Sequence, residues 1–145
     1  GTIASHAYDR YIKTIDPSIV VVSAACPLFV PIVEQGIFSG TIVEEIMSLY
    51  LEEIRSCNPS ALILACTHYP LLSKAIKDFI GNDTTLVTSA DALAHQLQDL
   101  YGKSSSGGEK EVSVSFFTTD NEERFNRLGS MILAPLKVQS KKIQL

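Results

Sequence analysis

The stretch Ala61–Leu72, ALILACTHYPLL, decides how this chain is read. Ala61 to Ala65 form an apolar run short enough for a buried strand, followed by reactive side chains at Cys66, Thr67 and His68. Tyr69-Pro70 breaks the strand, because proline fixes φ and has no N–H to give a ladder. LLSKAIKDFI then resumes at helical spacing and stops at Gly81, a residue suited to the end of a helix. A strand that passes to a helix through Cys-Thr-His sets a thiol, a hydroxyl and an imidazole at the strand's carboxyl end. Open α/β sheets build their ligand sites there. The expected helix also turns its positive end toward the thiol, which favours thiolate.

The same punctuation extends in both directions. Asn58-Pro59 closes a helix over Thr41–Ser56, with Ile42, Ile46, Leu49, Tyr50 and Ile54 read as its apolar face. Val43 and Met47 fall at the edge of that face, and Glu44, Glu45, Glu52, Glu53 and Arg55 form the wet side. Further upstream, Ile19–Val22 reads as a buried strand, and residues 1–13 as a short amphipathic helix that Thr2 or Ser5 caps. Between them and the long helix, LFVPIVEQG predicts a loop and short helix ending at Glu34 before Gly36. Downstream, residues 84–88 predict a strand and Ser89 opens a helix to Tyr101. The polar run GKSSSGGEK, residues 102–110, predicts a loop, and residues 112–117 a strand. Asp120 is read as the cap of a helix reaching about Ile132, and residues 136–138 as a last short strand. Strands alternating with helices, over crossovers long enough for parallel pairing, give an α/β fold.

Composition narrows the function classes. A chain of 145 residues, 46% hydrophobic, fits one compact domain or part of a two-domain protein. The net charge is −4 and the charges are interspersed, so no basic face recommends nucleic acid as a partner. Apolar runs fall far short of a membrane span, which argues against a membrane partner. Three cysteines without a CxxC give no disulfide framework and point to a reduced, cytoplasmic protein. The opening Gly1-Thr2, without Met, reads as a cut rather than a natural start. There is no P-loop or GxGxxG to call for a nucleotide cofactor.

Cys66 is the strongest chemical candidate, and the alternative is a buried inert thiol. His68 serves equally as a turn histidine, and Glu34 as a solvated acid at the end of an apolar segment. The pattern leaves three chemistries open. A Cys–His nucleophile needs a thiolate, a base and an oxyanion hole. A proton-transfer site needs a well-placed thiol and a way to stabilise a carbanion. A zinc site needs further ligands, and Cys26 and Cys57 lack metal-ligand spacing.

Two longer motifs, ACPLFVPIVEQG at residues 25–36 and LACTHYPLL at residues 64–72, together resemble the glutamate racemases. These cofactor-independent enzymes make D-glutamate for peptidoglycan. GTIASHAY at the start, and VTSADALAHQL and FFTTDNEERF later, resemble further family segments, so the likeness covers nearly the whole chain.

The resemblance implies a parallel-sheet sandwich of the aspartate/glutamate racemase type, one domain largely complete plus the returning end of the other. Residues 1–88 correspond to the second domain and residues 89–145 to the C-terminal part of the first. It also implies that Cys66 is one of two catalytic thiols, the one acting on L-glutamate, with no cofactor. Thr67 and Thr2 match substrate-binding positions, and His68 and Glu34 match an auxiliary pair that tunes or relays protons around the thiol. A homodimer of the whole enzyme follows from the same resemblance. The departures are Ala65 where the family has glycine, and a first catalytic cysteine that neither Cys26 nor Cys57 replaces. The chain is therefore expected to be a C-terminal portion of a racemase and inactive alone. The competing readings are a superfamily racemase acting on aspartate or another amino acid, and a non-catalytic fragment that binds or dimerises.

Overall fold

The computed structural model describes residues 2–102 and 113–144. Two parallel β-α-β units organise them. Strand β1 (Ala61–Leu64) pairs in parallel with β2 (Thr85–Thr88), with Ala61 opposite Thr85 and Leu64 opposite Thr88. The connection runs through a 3-10 turn, Tyr69–Leu72, and helix α4 (Ser73–Ile80). Strand β3 (Phe116–Thr118) pairs in parallel with β4 (Ser140–Lys142) across helix α6 (Glu122–Ile132). This is the α/β, parallel-paired architecture expected from the alternation. Helices α1 (Ala7–Ile15), α2 (Phe29–Glu34) and α3 (Thr41–Ser56) precede β1, and α5 (Ser89–Tyr101) follows β2 directly. The chain divides into two compact units, Gly1–Leu97 and Gln98–Leu145, so the division falls within α5.

The first unit has one hydrophobic core. Phe29, Ile32 and Val33 of α2 meet Val43, Met47, Leu51 and Ile54 of α3, with Leu64, Leu72 and Ile76. Phe29 sits edge-on between two rings, 5.1 Å from Tyr69 and 5.9 Å from Tyr50, the geometry that aromatic quadrupoles favour. Helix α3 ends where Asn58 takes a left-handed φ of 47°, which asparagine tolerates, ahead of Pro59. Helix α4 ends at Gly81, φ 112°, a conformation that a Cβ would strain.

The structure corrects several expectations. Ile19–Val22 forms no strand, and Val20 is 85% exposed. β-branched composition describes a fit to a sheet, and without a ladder and a covered face it does not fold as one. Strand β1 is only half buried. Leu64 faces the core, while Ile63 and its register partner Val87 lie on the opposite, exposed face. The buried stripe of α3 is Val43, Met47, Leu51 and Ile54, leaving Ile42 and Leu49 in solvent. Helix α1 opens at Ala7 behind His6, which makes no side-chain cap bond, so neither Thr2 nor Ser5 caps it.

Helix α6 is capped by Asn121, whose Oδ1 accepts from Arg124 N at 2.8 Å, rather than by Asp120. The last strand is Ser140–Lys142 rather than residues 136–138. Val138 is instead buried beside Gly129 of α6, and its N–H donates to Ser130 Oγ at 2.9 Å. The strand expected over 112–117 is observed as Phe116–Thr118, and Val112 lies outside the described residues. The expected polar loop 102–110 also lies outside them, apart from Gly102.

Candidate active site

The carboxyl end of β1 delivers Cys66 to the surface as a half-buried thiol. The chain then turns tightly, with Tyr69 N donating to Cys66 O at 3.2 Å and Leu71 N to His68 O at 3.1 Å. Pro70 suits this place, since the first turn of a helix needs no N–H from it. The α-helix proper opens only at Ser73, beyond the 3-10 turn. The 3-10 turn runs straight into α4, so the helical stretch begins at Tyr69, three residues after Cys66.

Two side chains gather around His68. Thr67 Oγ1 lies 3.4 Å from His68 Nδ1. Glu34 Oε1, from the last residue of α2, lies 3.8 Å from His68 Nε2, within ion-pair range once the imidazole is protonated. Both members of this pair remain partly open to water, with side-chain exposures of 35% for His68 and 43% for Glu34. The contacts thus join Thr67, His68 and Glu34 beside Cys66. Thr2 is not among them. It lies exposed in the turn before α1, where its carbonyl accepts from Ser5 Oγ at 2.8 Å.

The other two thiols occupy different environments. Cys26 is buried, its Sγ 3.7 Å from Ala24 O, and burial pushes its ionisation up to about 11. Cys57 is exposed at the end of α3. Among the described residues no three His, Cys, Asp or Glu side chains gather as a metal site, and no helix is long and apolar enough to cross a membrane.

One residue of the site carries no role in the sequence reading beyond breaking a strand. Tyr69 donates its phenolic proton to Cys26 O at 3.1 Å, joining the Cys66–His68 turn to the segment that opens α2. Burial raises the ionisation of that phenol above its ordinary value, and the neighbouring Cys26 and Cys66 thiols raise it further. The available signal is chemical. A tyrosine in a half-buried turn needs a partner for its hydroxyl.

Chemically, one turn carries a thiol at Cys66 and, two residues on, an imidazole with a hydroxyl at 3.4 Å and a carboxylate at 3.8 Å. Such a set can accept and return a proton.

No protein-family model matches the chain. Individual relatives do. It is 36% identical over 139 residues to a glutamate racemase of Geobacter metallireducens, covering 92% of this chain and 50% of that protein. It is 33% identical over 133 residues to one of Thermoanaerobacter pseudethanolicus, covering 91% and 50%. The fold matches a glutamate racemase isoform from Bacillus anthracis with a TM-score of 0.83 at 28% identity, over 99% of this chain and 54% of that one. It also matches the Francisella tularensis glutamate racemase solved with D-glutamate, with a TM-score of 0.75 at 31% identity and the same coverage, 99% and 54%. The chain spans about half the length of the relatives it matches. In sequence and in fold, this chain is similar to glutamate racemases over about half of their length.

Proposed function

We propose that the chain carries one side of the acid–base apparatus of a glutamate racemase, with Cys66 as its proton-transferring thiol. The observation that carries this reading is the approach of Thr67 and Glu34 to the His68 imidazole, at 3.4 and 3.8 Å, in the turn that also carries Cys66, in a chain similar to these enzymes. In the proposed reaction the Cys66 thiolate removes the α-proton of L-glutamate. The Cα–H bond breaks, an S–H bond forms, and the electron pair stays on Cα, delocalised into the carboxylate. A second thiol on the opposite face gives its proton to Cα and completes the inversion. The two proton transfers leave every oxidation state unchanged, so no oxidant takes part. Because the α-proton is weakly acidic, donors fixed in place must stabilise the carbanion. Thr67 and Thr2 are assigned to the charged groups of the substrate, and His68 with Glu34 to proton relay at the thiol.

Residues 1–88 are assigned to the second racemase domain and residues 89–145 to the C-terminal part of the first. The whole enzyme is assigned to the cytoplasm as a homodimer supplying D-glutamate for peptidoglycan. Within these 145 residues Cys26 and Cys57 do not serve as the second base, since one is buried and protonated and the other lies at the end of α3. The chain by itself therefore does not racemise glutamate.

The test is proton NMR of L- and D-glutamate incubated with the purified chain in D2O. The expected result is slow α-proton exchange of L-glutamate only, abolished by Cys66→Ala, with no D-isomer formed. Exchange of D-glutamate, exchange of neither isomer, or racemisation that Cys66→Ala abolishes would overturn the assignment.

A further inference from the structure

We infer that Tyr69 is the positioning residue that holds His68 against Glu34. The inference deepens the racemase reading, on which its catalytic consequence rests, while its geometry can be tested without substrate. The contacts form a closed ring through the fold. Cys26 O accepts the N–H of Phe29 at 3.1 Å, the bond that opens α2. The same carbonyl accepts Tyr69 Oη–H at 3.1 Å. Helix α2 is only six residues long and ends at Glu34. Glu34 then reaches His68 at 3.8 Å, and His68 is bonded covalently to Tyr69.

A ring this short leaves few soft torsions between the carboxylate and the imidazole. The core-buried Phe29 edge against Tyr69, centroids 5.1 Å apart, fixes the phenol from the side. Tyr69 therefore ties both ends of the pair to one backbone carbonyl. The pair itself is half exposed and has little strength of its own to keep the geometry.

Tyr69→Phe removes the tether and keeps the ring packed on Phe29. The readout is the shift of the His68 ring NMR signals that Glu34→Gln produces, measured in the original chain and in the Tyr69→Phe chain. The inference expects a clear shift in the first and a loss of about half or more of it in the second, as coupled sites are non-additive. A residue that merely packed would leave the Glu34-dependent shift equal in both backgrounds, and that outcome overturns the inference. So does a Glu34→Gln change that leaves the His68 signals unmoved in the original chain. If Tyr69→Phe fails to fold, 4-aminophenylalanine at position 69 supplies an N–H to the same carbonyl. It is expected to preserve the full shift, and loss of the shift in that folded variant overturns the inference. The measurement contains no glutamate, so its failure is separate from a failure of the racemase reading. In the exchange assay with L-glutamate, Tyr69→Phe is expected to lower the turnover rate about tenfold with KM little changed, the mark of lost alignment.

Discussion

His68 Nε2 stands 3.8 Å from Glu34 Oε1, although the two residues come from separate elements, the turn after β1 and the end of α2. Both remain open to solvent, where water and ions screen such a pair. The pair therefore adds little to stability, and under the proposed reaction its value lies in the proton chemistry at Cys66. Glu34→Gln is expected to change unfolding free energy by less than about 1 kcal/mol. The same variant is expected to slow α-proton exchange of L-glutamate by about tenfold or more. Urea melts and deuterium wash-in separate the two effects. A large loss of stability with unchanged exchange would place Glu34 in the scaffold.

The thiols divide by environment. Cys26 is 4% exposed and its ionisation is pushed up to about 11, whereas solvent reaches Cys57 and Cys66. The thiolate is the species that alkylates, and each unit of displacement costs a factor of ten in its population. At pH 8, iodoacetamide is expected to label Cys57 and Cys66 first and Cys26 at least about a hundredfold more slowly. Peptide mass spectrometry over time gives the three rates. Cys26 reacting as fast as Cys66 would show that its burial is not maintained in solution.

Much of this arrangement is legible from residue order. Asn58-Pro59 ends α3, the apolar run at Ala61 gives β1, and Ser89 opens α5, because each boundary is made by local backbone chemistry. What depends on distant partners is not legible. Ile19–Val22 has the composition of a strand, yet a strand needs a neighbour, and composition does not supply one. The stripe of α3 shifts from Ile42 and Leu49 to Val43 and Leu51 because the apolar residues wrap more than one face, and packing against α2 and α4 chooses among them. Glu34 beside His68 is legible only through the family resemblance, since no periodicity links the end of one helix to a turn after a strand. The bond from Tyr69 to Cys26 O spans forty-three positions and has no sequence signature beyond the needs of a half-buried phenol.

Alkaline pH offers a test of the core beneath the site. The unfolded Cys26 thiol ionises near its ordinary value of 9.0, and the folded one at about 11. Between those limits the unfolded state holds fewer protons than the native one, so stability falls as pH rises. The contribution is fully present below about pH 9 and is lost as pH rises through about 11. Its size is at most about 2–3 kcal/mol, from two units of displacement. The Tyr69 phenol, also raised, acts in the same direction. Urea denaturation from pH 8 upward is expected to show this decline, and Cys26→Ala to make it shallower. An unchanged slope in Cys26→Ala would assign the alkaline loss to other groups.

The second unit carries its own packing constraint at Gly129. A Cβ placed there would come within 3.0 Å of Val138 Cγ1 and 3.1 Å of its Cγ2. Val138 has little room to yield, being 3% exposed with its N–H bonded to Ser130 Oγ at 2.9 Å. The glycine thus lets the chain after α6 lie close against the helix before β4 pairs with β3. Gly129→Val adds bulk on the same line of contact and is expected to cost about 1–3 kcal/mol, the usual range for overpacking. Gly129→Val with Val138→Ala restores the space, and is expected to recover part of the loss despite the smaller buried side chain. Thermal melts of the two variants decide the matter. A Gly129→Val chain as stable as the original would mean that α6 and Val138 separate freely, and that this contact does not hold the β3–β4 unit together.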